Sequence, residues 1–328
     1  MAGAAPAAKG GSASAAGGGA APPAAAGGAM PPAAASGKDP ALPTGVTAAT
    51  SGSKSAPDPI ECTRRGLRAL IDRYFVALAA HDPSSLPLAA SLEATENCRP
   101  TALGEGIWRS AGKLSFERSA IDPERCGTVS EALLDVAGAP TVVGVRLKLD
   151  GDHLSEVETF VTPSIASTVS VPVTPGATPG LPTVPSVSTG LPGGLLDSKA
   201  EDWGPNPGSR AQTRQDLERI ADAYLKSFGD STVPVPFDSP CEQRINGNST
   251  GQRTCVAVTI PSTPFLTVGE PAQRRYPVID LEAGIAVGFA IVVESYPTPM
   301  FAMLKVNDGR IRYIDSVFST ISKTSGWE

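Results

Sequence analysis

Three features of the chain predict two tandem α+β domains, each a long amphipathic helix laid on a curved antiparallel sheet. An apolar stripe occurs twice: Leu67, Leu70, Ile71, Tyr74, Phe75 and Leu78 are matched 150 residues later by Leu217, Ile220, Ala221, Tyr224, Leu225 and Phe228. A closing hairpin also occurs twice. Leu147, Lys148, Leu149, Leu154, Val157, Glu158 and Thr159 are matched 157 residues later by Leu304, Lys305, Val306, Ile311, Ile314, Asp315 and Ser316. Between helix and hairpin, each copy has the texture of short strands broken by turn residues. A helix followed by a meander of strands buries its stripe on one sheet face. The resulting cone has a hollow of the kind that holds ligands.

The 328 residues divide accordingly into a tail at 1–57, a first domain at 58–162, a linker at 163–200 and a second domain at 201–328. The tail is Ala, Gly, Pro and Ser, and no aromatic precedes Tyr74. Such a composition buries too little surface to offset its chain entropy, which predicts disorder. Met1-Ala2-Gly3 lacks the basic start of an export signal. The 163–196 stretch of Thr, Ser, Val, Pro and Gly carries no charge and reads as a semi-rigid spacer.

In the first domain, Asp58-Pro59-x-Glu61 has the form of a helix start, with Asp as cap and Pro at the first helical position. The stripe from Leu67 to Leu78 then runs to His81-Asp82-Pro83, where a partly cationic His ring suits the carbonyl end of the helix. Strands follow at 92–97, 133–136, 141–149 and 153–161, with Asp150-Gly151 as a hairpin turn. In the second domain Thr213-x-x-Asp216 opens the matching helix and Gly229-Asp230 closes it. Strands are predicted at 254–260, 276–280, 285–293, 300–306 and 310–318.

Five cysteines leave several pairings open. Cys241 and Cys255 flank Asn246-Gly247, a tight-turn signal, so a short hairpin could bring them together. Cys98 could pair with Cys126, leaving Cys62 odd, or all five could be inert thiols. A low-charge tail, a Thr/Pro spacer and a plausible bridge lean toward an extracytoplasmic protein. The Asn248-Ser249-Thr250 sequon matters only in a eukaryotic secretory pathway.

A formal charge of −6 argues against nucleic acid, which needs a concentrated basic face. No run of about eighteen apolar residues spans a bilayer. His81 and His153 have no partner at metal-ligand spacing, and neither a nucleophile elbow nor a phosphate loop occurs. No cofactor is therefore expected.

The segment from Arg73-Tyr74 to His81-Asp82, with Thr95-Glu96-Asn97, resembles the opening of the nuclear transport factor 2-like superfamily, which includes SnoaL-like cyclases and ketosteroid isomerases. The stretch from Cys62 onward resembles an uncharacterised family of tandem SnoaL-like proteins. The motifs that carry this are Asp72-Arg73-Tyr74, Leu103-Gly104-Glu105-Gly106-Ile107-Trp108, Arg274-Arg275-Tyr276-Pro277-Val278-x-Asp280 and Ser325-Gly326-Trp327. The resemblance implies a fold and no settled activity.

In the isomerases of that superfamily, a helix tyrosine and a protonated late-strand acid hold the enolate oxygen while a carboxylate moves the proton. Carried over, the tyrosine falls on Tyr74, the base on Asn97 and the acid near Val145. Neither Asn nor Val can do that work. Glu96 neighbours Asn97, but strand alternation turns it to the other face. Pocket candidates are therefore Tyr74, Glu96, Asn97, Trp108, Tyr224, Arg275 and Tyr276. Against each stands a plainer role. A striped helix tyrosine is more often core, Trp108 caps the cone or packs on its helix, and only one of Arg275 and Tyr276 can enter a hollow. Thr95-Glu96-Asn97 shows no counterpart in the second copy, where the Cys241 to Cys255 segment intervenes.

The favoured reading is a non-catalytic tandem protein, structural or binding a small apolar ligand. The alternatives are a SnoaL-like cyclase, isomerase or dehydratase acting on a small lipophilic metabolite, and an interaction module. In the last, the sheet faces pack domain on domain or build a homodimer.

Overall fold

The computed structural model describes residues 59–162, 193–206, 212–230, 232–249, 254–255, 272–291 and 299–319. The predicted tail, most of the spacer, most of the 254–260 strand and the Ser325-Gly326-Trp327 motif lie outside the described residues.

The architecture is two α+β domains, each a helix on a six-stranded sheet. Helix α1 spans Arg64–Ala79 and buries Leu67, Leu70, Ile71, Tyr74, Phe75, Ala77 and Leu78. Its cap is Thr63, whose side chain accepts from the Gly66 amide at 3.0 Å. This corrects the start expected at Asp58-Pro59. The chain before the helix folds back over its first turn, so close that a Cβ on Gly66 would sit 2.2 Å from the Glu61 carbonyl oxygen. Residue Cys62 is held there by a disulfide to Cys126. The pairing of Cys98 with Cys126 is thereby overturned, and Cys98 is a buried free thiol.

The first sheet contains β1 (Leu88–Glu96), β2 (Arg99–Pro100), β3 (Ala111–Asp122), β4 (Gly127–Val136), β5 (Ala139–Asp150) and β6 (His153–Val161). Its order is β2-β1-β6-β5-β4-β3. Strands β3 to β6 form an antiparallel meander, but β1 joins β6 in parallel. Sequence reading missed β3 entirely. Its alternation is hard to see because Arg118 stands on the buried face between Phe116 and Ala120.

After a short helix α2 (Gly193–Asp197), α3 spans Arg214–Lys226 and opens with the expected Thr213/Asp216 capping box. The second sheet holds β7 (Phe237–Ile245), β8 (Asn248–Ser249), β9 (Ala272–Asp280), β10 (Ile285–Ile291), β11 (Pro299–Asn307) and β12 (Arg310–Phe318). Its order, β8-β7-β12-β11-β10-β9, repeats the first. Asn246 and Gly247, both at positive φ, turn β7 into β8, and Cys241 is bonded to Cys255.

Three apolar clusters organise the chain. One lies under each helix, and a third joins Phe116, Val129 and Phe160 of the first domain to Val287, Phe289 and Phe301 of the second. Phe160 meets Phe289 and Phe301 edge-on, at centroid distances of 5.0 and 5.7 Å. Gly144 makes room for this packing, since a Cβ there would lie 1.9 Å from the Phe301 ring.

Ionic contacts across this interface come in exchanged pairs. Arg118 of β3 meets Asp315 of β12, while Arg275 of β9 meets Glu158 of β6. Arg64, the first residue of α1, meets Asp280, while Arg214, the first residue of α3, meets Asp122 at 2.8 Å. The amide of Ile121 donates to Asp280 at 2.9 Å, and that of Ile279 donates to Asp122 at 3.0 Å. Equivalent positions contact each other reciprocally, which is the signature of a twofold, isologous interface. Here it is built within one chain.

Residues 193–206 cross this interface, although composition assigned 193–200 to the spacer. Leu195 is buried in the interdomain cluster. Trp203 stacks on Tyr313 with centroids 5.5 Å apart and lies over the Arg118 guanidinium at 4.2 Å. Lys305, buried and with its pKa lowered by burial, donates to the carbonyl of Gly204 at 2.6 Å and to Asn206 and Ala283.

Candidate functional site

The first cone is floored by Tyr74, which packs edge-on against Phe75 and Trp108 at 5.6 and 5.5 Å. Trp108 is 2% exposed and sits on a 3-10 turn, Gly106–Arg109. Its carbonyl accepts from His81 Nδ1, and His81 itself ends the helix region at φ 56° with its amide on the Leu78 carbonyl. Glu96 lies at the opening of that 3-10 turn, where it accepts from the Ile107 amide at 2.7 Å. Burial raises its pKa, and this hydrogen bond opposes the rise.

The Tyr74 hydroxyl is wholly buried and faces Thr159 and Trp108 without reaching hydrogen-bond geometry with either. Burial pushes it up to about 12. Tyr224 occupies the same place in the second cone and is also pushed to about 12 by burial, but its hydroxyl is paired. It lies 3.3 Å from Ser316 Oγ and accepts from Gln243 Nε2 at 3.3 Å. Ser316 is the counterpart of Thr159. Gln243 stands on β7 where Ala94 stands on β1, judged by their partners Ile314 and Val157.

Asn97 is tied to the backbone of β6. Its amide donates to the Thr159 carbonyl at 2.8 Å, and its side-chain oxygen accepts from the Val161 amide at 2.8 Å. The second domain repeats this arrangement with Asn246, bonded to the Ser316 carbonyl at 2.8 Å and to the Phe318 amide at 2.7 Å. Both residues have φ 49°, in the left-handed region that Asn tolerates. The expectation that Asn97 has no counterpart in the second copy is therefore corrected. The pairing escaped sequence comparison because it rests on one residue at a turn and on backbone partners. Val145, where the isomerases keep their acid, is buried in the apolar core.

Arg275 and Tyr276 diverge as strand alternation requires. Tyr276 turns to α3 and donates to Asp222 at 2.6 Å; burial and that carboxylate raise its pKa. Arg275 turns to the other domain, with Glu158 at 2.9 Å through Nη1 and the Phe289 ring at 4.8 Å. The seven candidates are thus distributed over two cones, a turn and an interface, and only Tyr74, Glu96 and Trp108 come together.

Sequence reading missed the most concentrated polar group of the described residues. Glu131, Arg118, Asp315, Arg244 and Glu201 meet in the domain interface, each nine-tenths or more buried. One signal was available: Glu131 stands in phase with Val129 and Leu133, a charge on the apolar side of a strand. An open cleft of about 470 Å³ leads to the group, lined by Phe116, Arg118, Ser198, Lys199, Glu201 and Trp203. Among the described residues no cluster of three or more His, Cys, Asp or Glu is placed to hold a metal ion. Nor, among them, is any helix long and apolar enough to cross a membrane.

Residues 210–318, the second domain, match a family described as Domain of unknown function (DUF8021). No curated protein matches the chain. Three solved structures are similar to single domains of it. An NTF2-like protein of unknown function from Cytophaga hutchinsonii shares 11% identity at a TM-score of 0.22, over 30% of this chain and 90% of its own. An NTF-2 like protein of unknown function from Burkholderia xenovorans shares 11% at 0.25, over 34% and 90%. A putative polyketide cyclase from Silicibacter shares 15% at 0.25, over 30% and 90%. These scores and identities are too low to carry any inference about activity.

Proposed function

We propose that this is a non-catalytic tandem protein in which each domain serves as the dimer partner of the other. Its role is structural, with the cones acting as scaffold. The observation that carries this reading is the use of Asn97 and Asn246. The position that supplies a base in the isomerases is given over, in both domains, to holding the turn after the first strand. The exchanged ion pairs support the same reading, because they engage the sheet faces that would otherwise be open to a second chain. A homodimer through those faces is disfavoured on the same ground.

The test compares small molecules released from the full-length protein and from a Tyr74→Phe/Asn97→Ala variant, by mass spectrometry. The structural reading expects the same profile from both. A compound carried by the natural chain and lost from the variant overturns it and moves function into the first cone.

One observation favours a second reading, a small apolar ligand or a SnoaL-like reaction in the first cone alone. The Tyr74 hydroxyl is buried and unpaired beside Glu96, whereas Tyr224 is satisfied. Two disulfides support placement outside a reducing cytosol. Thiol counting on protein from its native host tests that: more than one free thiol contradicts it.

A further inference from the structure

Glu131 on β4 is wholly buried, and neither of its carboxylate oxygens has a donor. The groups around it come from four elements. Arg118 is opposite it on β3, Asp315 faces it from β12 of the second domain, Arg244 approaches from β7, and Glu201 closes the group from the connector. Arg118 is bonded to Asp315 and to Ser198 Oγ at 2.7 Å, and Arg244 to Glu201 at 2.9 Å and to Asp315 at 3.4 Å. Both guanidinium groups are thus committed to Asp315 and Glu201.

The charges decide the state of Glu131. Two arginines balance Asp315 and Glu201, so an ionised Glu131 would leave one uncompensated negative charge in a closed site, beside another carboxylate. That is far costlier than a neutral acid able to donate its proton. The duplicated fold supplies an independent comparison. Phe289 pairs with Arg275 as Glu131 pairs with Arg118, so the sibling domain puts a phenyl ring at this place. The architecture works with an apolar side chain there, and the ionisable group is an addition to it.

We propose that Glu131 and Asp315 share one proton across the domain interface, so that acid closes the pseudo-dimer and base loosens it. The proton sits on Glu131 and is donated to the Asp315 carboxylate. When pH rises it passes to solvent base through the cleft lined by Phe116, Ser198 and Trp203. Two carboxylates then face each other between the sheets, and the repulsion acts on β4, β12 and the connector together. Burial and the Asp315 charge hold the Glu131 carboxyl well above the usual carboxylate range, against the opposing effect of Arg118 and Arg244.

The sign follows from linkage. The folded state holds a proton that the unfolded state has released, so stability falls as pH rises from the ordinary glutamate range to the raised value in the fold. The experiment is equilibrium unfolding of the full-length chain and of Glu131→Gln from about pH 5 to about pH 9. The folding constant of the natural chain is expected to fall relative to the variant by up to about tenfold per pH unit across part of that window. Parallel profiles overturn the proposal. Should Glu131→Gln fail to fold, Glu131→Leu takes its place, imitating the apolar residue of the sibling domain. Independently of either variant, isotope-labelled glutamate carboxyls are followed by NMR in the natural chain. One glutamate carboxyl titrating far above the rest supports the shared proton. Ordinary titration of every glutamate refutes it.

Discussion

The exchanged ion pairs Arg118–Asp315 and Arg275–Glu158 occupy equivalent positions, yet their surroundings differ. The Arg118–Asp315 side is the more deeply buried: the side chains are 7% and 0% exposed, and Trp203, Ser198 and Glu201 pack against Arg118 at the foot of the cleft. On the Arg275–Glu158 side the exposures are 35% and 13%, and the neighbours Arg146, Glu156 and Lys148 form an ion-pair network on the sheet. Among the described residues, the connector segment 193–206 covers one of the two equivalent places. Covering changed the chemistry of the covered side. The covered ion pair is buried where its sibling lies at the rim, and Glu131 is wholly buried beside it. Symmetric ancestry with asymmetric covering is how a duplicated fold acquires one distinctive site.

This comparison is sharpened most by its largest expected effect. Arg118→Ala leaves the buried Asp315 with the longer Arg244 contact and should cost about 3–5 kcal/mol, whereas Arg275→Ala leaves Glu158 its Arg146 partner at the more exposed site and should cost about 1 kcal/mol or less. Denaturant titration of the two variants measures the difference; equal losses would mean that the connector does not shield its side.

Next come the disulfides, which also differ between the domains. Cys62–Cys126 closes a separation of 64 residues and Cys241–Cys255 one of 14. Loop entropy predicts losses of about 4 and about 3 kcal/mol on replacing each pair by serine. The reverse order in thermal unfolding would show that native contacts of the bridges outweigh loop length.

The turn asparagines should behave alike. Asn97→Ala and Asn246→Ala each remove a side-chain hydrogen bond and put Ala at a left-handed φ, at about 1–2 kcal/mol apiece. A small loss at Asn97 together with altered ligand content would break the equivalence and return Asn97 to a pocket role.

The smallest effect separates the tyrosines. Tyr224→Phe forfeits contacts to Ser316 and Gln243, about 1 kcal/mol. Tyr74→Phe removes an unpaired buried hydroxyl and should be neutral or slightly stabilising. Matched calorimetry of the two variants checks this, and a clear loss at Tyr74 would reveal a hydrogen-bond partner for its hydroxyl.

Local patterns were enough to place the helices and the closing strands. The 3.6-residue stripe, the Thr213/Asp216 box and the Asp150-Gly151 and Asn246-Gly247 turns act over a few residues, and nothing distant overrides them. Where a distant partner intervened, local reading failed. The Cys62–Cys126 bond and the chain doubling back over Gly66 displaced the start of α1. Arg118 hid β3, because its ionic partner Asp315 lies in the other domain.

Residue spacing alone shows that one α+β scaffold is present twice, since duplication leaves its trace there. It also determined which residues face the helix core, because periodicity encodes a face. Only the tertiary structure decided what each face meets. Asn97 became a backbone tie, Arg275 a bridge between domains and Glu131 a buried acid, through partners as many as about two hundred residues away along the chain. Hydrogen-bond geometry and the cost of burying charge act through space, and spacing along the chain does not record them.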